Sequence, residues 1–480
     1  LHGEGHSFPT RRSSDLDAPT RDAAVAAARE RFASGAFEAA LAGLVARRTD
    51  GSDPAALRAY LTEEIAPRFA ALGATTEILE PPGGAPPLLR AERIEDPDAP
   101  TVLLYGHGDT VPAMAGRWAE GRDPLALTRD GARLYGRGVV DNKGQHLIGL
   151  EALAAVFEAR GGRLGFNVRA AIEMGEETGS PGLGALFAAD PARFAADVLI
   201  ASDGPRVRPD RPTLFLGARG AANLTLRCRL RDGGHHSGNW GGLLRDPAIR
   251  LAQALATITG PMGEIRVPEW RPGSLTPAVR AAIASCPVDE SGPEIDPGWG
   301  EPGLTPGERV WGWNSVTVRA MTAGDPEAPV NAVPPAASAW IQLRFVVGTD
   351  EADILPALRR HLDRAGFEDV EIEGEPLLFR ATRLDPDSPW AVWARESLTR
   401  TLGAAPAVLP NLGGSLPNDV FAETLGLPTI WVPHGHPACS QHAPDEHALA
   451  PVLEEGLAMM ASLWWDLGEP AAPGRADAGA

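Results

Sequence analysis

Cysteine is scarce in this chain: three residues, Cys228, Cys286 and Cys439, in 480. They are odd in number, far apart, and no two form a Cys-x-x-Cys pair. That argues against a disulfide framework and a cysteine-built zinc site, and it fits a reducing cytoplasm. Long apolar runs are also missing, and none approaches the ~20 residues needed to span a bilayer. Basic residues are in deficit, 44 against 63 acidic ones, for a net charge of −19. A surface of that sign disfavours nucleic acid and anionic membranes as partners. The stretch "GARGAAN" lacks the lysine and hydroxyl residue of a phosphate loop, so nucleotide binding finds no support. "GGSLP" (413–417) is not a Gly-x-Ser-x-Gly elbow, so there is no serine-hydrolase signature.

What is present is a globular composition, 44% hydrophobic and 22% charged, in a chain too long for one ordinary core. Residues 1–16 stand apart. "SFPTRRSSDL" (7–16) resembles a translated sequencing adapter, so the native chain is expected to begin near Asp17. At the other end, residues 469–480 read as a disordered tail.

Between these ends two patterns alternate. Asp53-Pro54 opens a helix as cap and first-turn proline. "TVLLYGHGDT" (101–110), "GFNVRAAIEM" (165–174), "ADVLIASD" (196–203) and "LPTIWVP" (427–433) are short apolar runs that read as buried strands. Helical segments separate them. This predicts an α/β fold with a mostly parallel mixed sheet sandwiched by helices, built from residues 17–213 and 383–468. Residues 214–382 read differently. "LFLGARGAANLTLRCRLRDG" and "AASAWIQLRFVVGT" alternate apolar and polar, as half-exposed antiparallel strands do. They predict an inserted α+β domain, with a Pro-, Gly- and Trp-rich insertion of its own at 260–312.

Chemistry-bearing residues gather where the strands end. His107 and Asp109 follow the first strand, Asp141 lies in "GRGVVDNKG", Glu176 and Glu177 follow the next strand, Asp203 the next, and His442 follows the last. In open parallel sheets, ligand sites lie at the carboxyl ends of strands. Mixed histidine and carboxylate ligands suit zinc, manganese or cobalt.

These motifs, in this order, resemble the di-zinc metallopeptidases that include carboxypeptidase G, aminoacylase, succinyl-diaminopimelate desuccinylase and the carnosinase-type dipeptidases. The resemblance spans about residues 20–468 and implies two divalent metal ions per subunit. It assigns His107 and Asp203 to one metal, Glu177 and His442 to the other, and Asp141 to both, with a cis peptide bond after Asp141. Asp109 would orient His107, and Glu176 would be the general base acting on a metal-bridging water. The inserted domain becomes a lid and dimerisation domain. "HHSGNWGG" (235–242) implies a homodimer in which His236 of one subunit steadies the oxyanion in the other. Asn331 and Arg344 would contact substrate, and Gly414 and Ser415 would bind its carboxylate. The implied reaction is hydrolysis of an amide next to a free carboxylate, in a dipeptide, short peptide or N-acyl amino acid. The alternative is a non-catalytic member that binds peptide or metal without turnover. Dipeptidase relatives often carry Arg two residues before the Gly-Gly pair. Here that residue is Asn411, which weakens the analogy to strict dipeptidases.

Overall fold

The computed structural model describes residues 19–288, 293–375 and 379–474. The reading of residues 1–16 therefore lies outside the described residues. At its centre is an eight-stranded sheet. In spatial order its strands are Thr75–Leu79, Leu88–Arg93, Asn167–Glu173, Thr101–His107, Val198–Ala201, Thr429–Trp431, Thr213–Phe215 and Ala407–Leu409. The four central strands, from Asn167–Glu173 to Thr429–Trp431, run parallel. The flanks mix directions. Leu88–Arg93 is antiparallel to Asn167–Glu173, and Thr213–Phe215 is antiparallel to Thr429–Trp431. The sheet is mixed, with its parallel part in the middle.

The apolar runs explain the layering. Side chains alternate across a strand, so a strand buried on both faces must be apolar throughout. Val102 and Leu104 pack into one core with the helices Arg21–Ala33, Lys143–Ala159, Pro389–Leu402 and Ala450–Leu467. Leu103 and Tyr105 pack into a second core on the opposite face, with Leu183, Phe187, Phe421 and Trp431. Proline and aspartate start the helices as the sequence predicts. Asp53 accepts a hydrogen bond from the Ala55 amide, and Asp246 accepts from the Ala248 and Ile249 amides.

Residues 220–374 form a separate four-stranded antiparallel sheet, in the order Ser315–Ala323, Ala336–Phe345, Gly220–Arg229, Val370–Gly374. Its third core includes Leu251 and Leu358, from the helices Pro247–Ile258 and Ile354–Arg364. A three-stranded sheet joins the hairpin Thr128–Asp130 and Arg133–Tyr135 to His447–Leu449. Residues 469–474, expected within a disordered tail, are instead attached to the large sheet's helices. Arg160 donates to Glu469, and Ala472 is buried. Residues 475–480 lie outside the described residues.

The chain holds 44 basic residues, and one of them is a lysine. Lys143 is fully buried, and its Nζ donates to the carbonyls of Leu44 (3.0 Å) and Arg47 (2.6 Å). It lies 5.4 Å from the Tyr60 ring centre. The ammonium adds a charged donor at Leu44, in the last turn of the helix Ala36–Val45, whose carbonyl also accepts from the Arg47 amide (3.2 Å), and at Arg47 just beyond that helix. It thereby ties that helix to the one that begins beside Asp141. Burial draws its pKa down to about 7. A guanidinium is a wide planar fork and a poor replacement for a compact ammonium. Lys143→Arg is therefore expected to lower unfolding free energy by ~1–3 kcal/mol, read from urea denaturation. Arg229→Lys, at an exposed position, should leave the transition unmoved.

Candidate metal centre

The parallel strands deliver their carboxyl ends to one edge of the sheet, and the candidate residues follow those ends. His107 closes its strand and is fully buried. Asp203 lies two residues past Ala201. Asp141 precedes the helix Lys143–Ala159, and the Asp141–Asn142 peptide bond is cis. His442 comes from the loop after Thr429–Trp431, in which Ser440, His442 and Asp445 all have positive φ. Three non-glycine residues in that region within six positions mark backbone conformations that surrounding contacts must enforce.

Two groups of ligand atoms result. His107, Asp141 and Asp203 bring one atom each to within 4.8 Å of one another, and so do Asp141, Glu177 and His442. Asp141 belongs to both. One of its oxygens lies 3.1 Å from His107 Nε2 and the other 2.8 Å from His442 Nε2. Asp203 Oδ2 is 3.5 Å from His107 Nε2, and Glu177 Oε2 is 3.0 Å from His442 Nε2.

The electrostatics identify what the groups fit. Asp109, Asp141, Glu176, Glu177 and Asp203 crowd one region. Among the described residues their ion-pair partners are the two histidines, with no arginine or lysine. Burial disfavours a charged His107, yet the carboxylates of Asp109, Asp141 and Asp203 around it push its pKa well above the usual range. Bonds to Asp141 and Glu177 push His442 up to about 10. Burial, then the charges of Asp203 and Asp141, push Glu176 well above the carboxylate range, against the opposite pull of His107. The field calls for positive charge. The geometry says of what kind: His107 Nε2 and Asp203 Oδ2 are buried and converge, yet neither makes a hydrogen bond. Buried polar atoms are ordinarily paired. Converging, unpaired nitrogen and oxygen donors suit a divalent ion.

Asp109 does more than its place near His107 Nδ1 (3.4 Å) would require. Its carboxylate accepts from the backbone amides of Glu176 (3.3 Å) and Glu177 (3.0 Å). It thus caps the short turn Glu176–Thr178 and anchors both glutamates. This turn points the adjacent pair at different partners, the first residue at His107 (3.9 Å) and the second at His442.

A cavity of about 520 Å³ opens over the centre, lined by Asp141, Glu176, Asp203, His442, Gly414 and Ser415. Arg344 reaches it indirectly, donating from Nη1 to Ser415 Oγ (2.7 Å). His236 and Asn331 lie elsewhere. His236 lies on a two-stranded ribbon, paired with Ala332, and Asn331 immediately precedes that partner strand; both are exposed, and the Ser237 amide donates to the Asn331 carbonyl (2.9 Å). His434 is buried with both ring nitrogens unpaired, and His436 packs on His447; neither belongs to a ligand group. Two contributors escaped the sequence reading. Gln441 lines the cavity and donates to Asp141 Oδ2 (2.6 Å), and its one signal was adjacency to His442. Arg219 donates from Nε to the Gly413 carbonyl (2.7 Å), while its own carbonyl accepts from Ser415 Oγ (2.6 Å).

The sequence model of peptidase family M20/M25/M40 matches residues 103–466. A cysteinylglycine-S-conjugate dipeptidase of Corynebacterium striatum is 31% identical over 363 residues, 73% of this chain and 77% of that protein. Among solved structures, an M20 family metallo-carboxypeptidase from Sulfolobus solfataricus superposes with a TM-score of 0.75 at 23% identity, over 90% of this chain and 99% of that one. Human carnosine dipeptidase 1 superposes with a TM-score of 0.71, also at 23% identity, over 92% and 99%. The chain belongs to peptidase family M20/M25/M40.

Because Asp141 serves both ligand groups, Asp141→Asn should weaken metal retention more than a change at any other ligand. We expect metal content, measured by elemental mass spectrometry after dialysis, to fall at least about tenfold.

Proposed function

We propose that this member of the M20/M25/M40 peptidases is a two-metal exopeptidase that cleaves the amide next to a free carboxylate. Its substrates would be dipeptides, short peptides or N-acyl amino acids. The observation that carries the proposal is Asp141, shared by two ligand groups with Glu176 beside them. The dipeptidase name of the Corynebacterium relative supports the peptide end of this substrate range. The same name, with Glu176 facing the cavity, speaks against a binding protein without turnover.

His107 and Asp203 would hold one ion, Glu177 and His442 the other, and Asp141 both. Zinc fits these donors best, with manganese and cobalt as alternatives. When bound, the ions would polarise the scissile carbonyl, acidify the attacking water and offset the negative field on Glu176. Glu176 takes the proton from that water and passes it to the leaving amine. Asp109 keeps Glu176 in place through its amide. Ser415 and the Gly414 backbone receive the substrate carboxylate, and Arg344, already on Ser415, supplies the counter-charge.

His236 and Asn331 would act on the second copy of a homodimer. The strand Ser315–Ala323 supports that assembly. It is the edge of its sheet, exposed along most of its length, and carries Val318 and Met321 outward. Trp240, Leu243 and Val330 are exposed as well. An edge with bare backbone groups and apolar side chains invites pairing. Three free, buried thiols fit a cytoplasmic setting.

Glu176→Gln should cut kcat by ~10²–10⁴-fold on whichever dipeptide or acyl-amino acid the protein turns over, with metal content unchanged. Undiminished turnover contradicts the role of Glu176. Mixing that variant with His236→Ala, each inactive alone, should restore activity if subunits share sites. No recovery in an exchanged mixture contradicts the shared site.

A further inference from the structure

We infer that Glu446 is a positioning residue that holds Asp141 and His442 in register with each other. The inference rests on the ligand assignment proposed above and extends it to a residue that binds neither metal nor substrate.

Glu446 is completely buried, and four donors surround its carboxylate. One oxygen accepts from the amides of Val140 (2.9 Å) and Asp141 (3.1 Å). The other accepts from the Gly138 amide (3.0 Å) and from Arg137 Nη1 (2.7 Å). Residues 137–141 thus wrap around one anion, and Asp141 is the last residue of the wrap. Glu446 stands four positions after His442. Its own carbonyl accepts from the Gly136 amide (3.1 Å), and Arg137 Nη2 donates to the Ala443 carbonyl (3.0 Å). Immediately beyond these contacts, His447 pairs with Tyr135 in the three-stranded sheet. The two ligand-bearing loops therefore leave one sheet side by side, with Glu446 as the pin between them.

This arrangement has a specific purpose at a shared ligand. Asp141 must present one oxygen toward His107 and the other toward His442, so a small rotation of its backbone spoils both. His442 sits in a loop with three residues at positive φ, a conformation the chain does not hold unaided. A carboxylate saturated by three amides and a guanidinium is a rigid anchor for both. The bland account is that Arg137 and Glu446 are a buried ion pair that merely stabilises the fold. The two accounts differ in what happens to metal binding.

Zinc chloride is titrated calorimetrically into metal-free protein, with thermal unfolding followed separately. Glu446→Gln keeps the volume but turns one acceptor oxygen into an amino group facing N–H donors. We expect zinc uptake to weaken by about 10–100-fold in at least one of two steps, with excess zinc restoring turnover. Glu446→Asp keeps the charge opposite Arg137 and should show a smaller loss. A folded Glu446→Gln protein with both steps unchanged overturns the inference. If that variant does not fold, Glu446→Asp decides in the same way; if neither folds, Glu446 serves folding rather than the site, and the inference fails. Uptake of fewer than two ions by the unaltered protein would instead overturn the ligand assignment on which the inference rests.

Discussion

The structure depends on gathering more negative charge at one sheet edge than the protein's own cations offset. Five carboxylates converge there, and their ion-pair partners among the described residues are two imidazoles. Burying like charges together is costly unless something positive joins them. The fold accepts that cost locally and braces it from outside. Asp109 spends its carboxylate on two amides, Glu446 on three amides and a guanidinium, and Gln145 clamps three segments at once. The Gln145 amide group donates to the carbonyls of Val140 (3.0 Å) and Gly204 (3.2 Å), and its oxygen accepts from the His434 amide (2.7 Å). These braces hold the backbone at or next to Asp141, Glu177 and Asp203.

Much of this was legible in the sequence, for physical reasons. A strand buried on both faces must be apolar along its length, so runs such as "TVLLYGH" marked the sheet and their ends marked the edge. Parallel strands share a direction, so residues at their carboxyl ends must meet. That logic brought His107, Glu177, Asp203 and His442 together before any geometry was known. The helix cap Asp53-Pro54 was equally visible, because capping is a local hydrogen bond.

What was not legible depends on contacts between segments distant in the chain. The antiparallel flanks of the large sheet follow from which strands become neighbours, and composition does not record that. The second task of Asp109 needs a turn located 67 residues away. Glu446, four residues after His442 in "HAPDE", could be read as a support for the site, but what it holds appears only when residues 137–141 fold around it. The packing of residues 469–474 is similar. Their Pro, Ala and Gly content looks loose, yet Arg160 and the helices beside it hold them. The single lysine was in plain sight, but its meaning depends on two carbonyls nearly a hundred residues earlier.

The central claim is that this excess of carboxylates exists to hold two cations around Asp141. The most direct measurement is anomalous X-ray diffraction from crystals of zinc-loaded protein at the zinc edge. Two anomalous peaks are predicted in each subunit, one among His107, Asp141 and Asp203, the other among Asp141, Glu177 and His442. A single peak, or peaks away from Asp141, would contradict it.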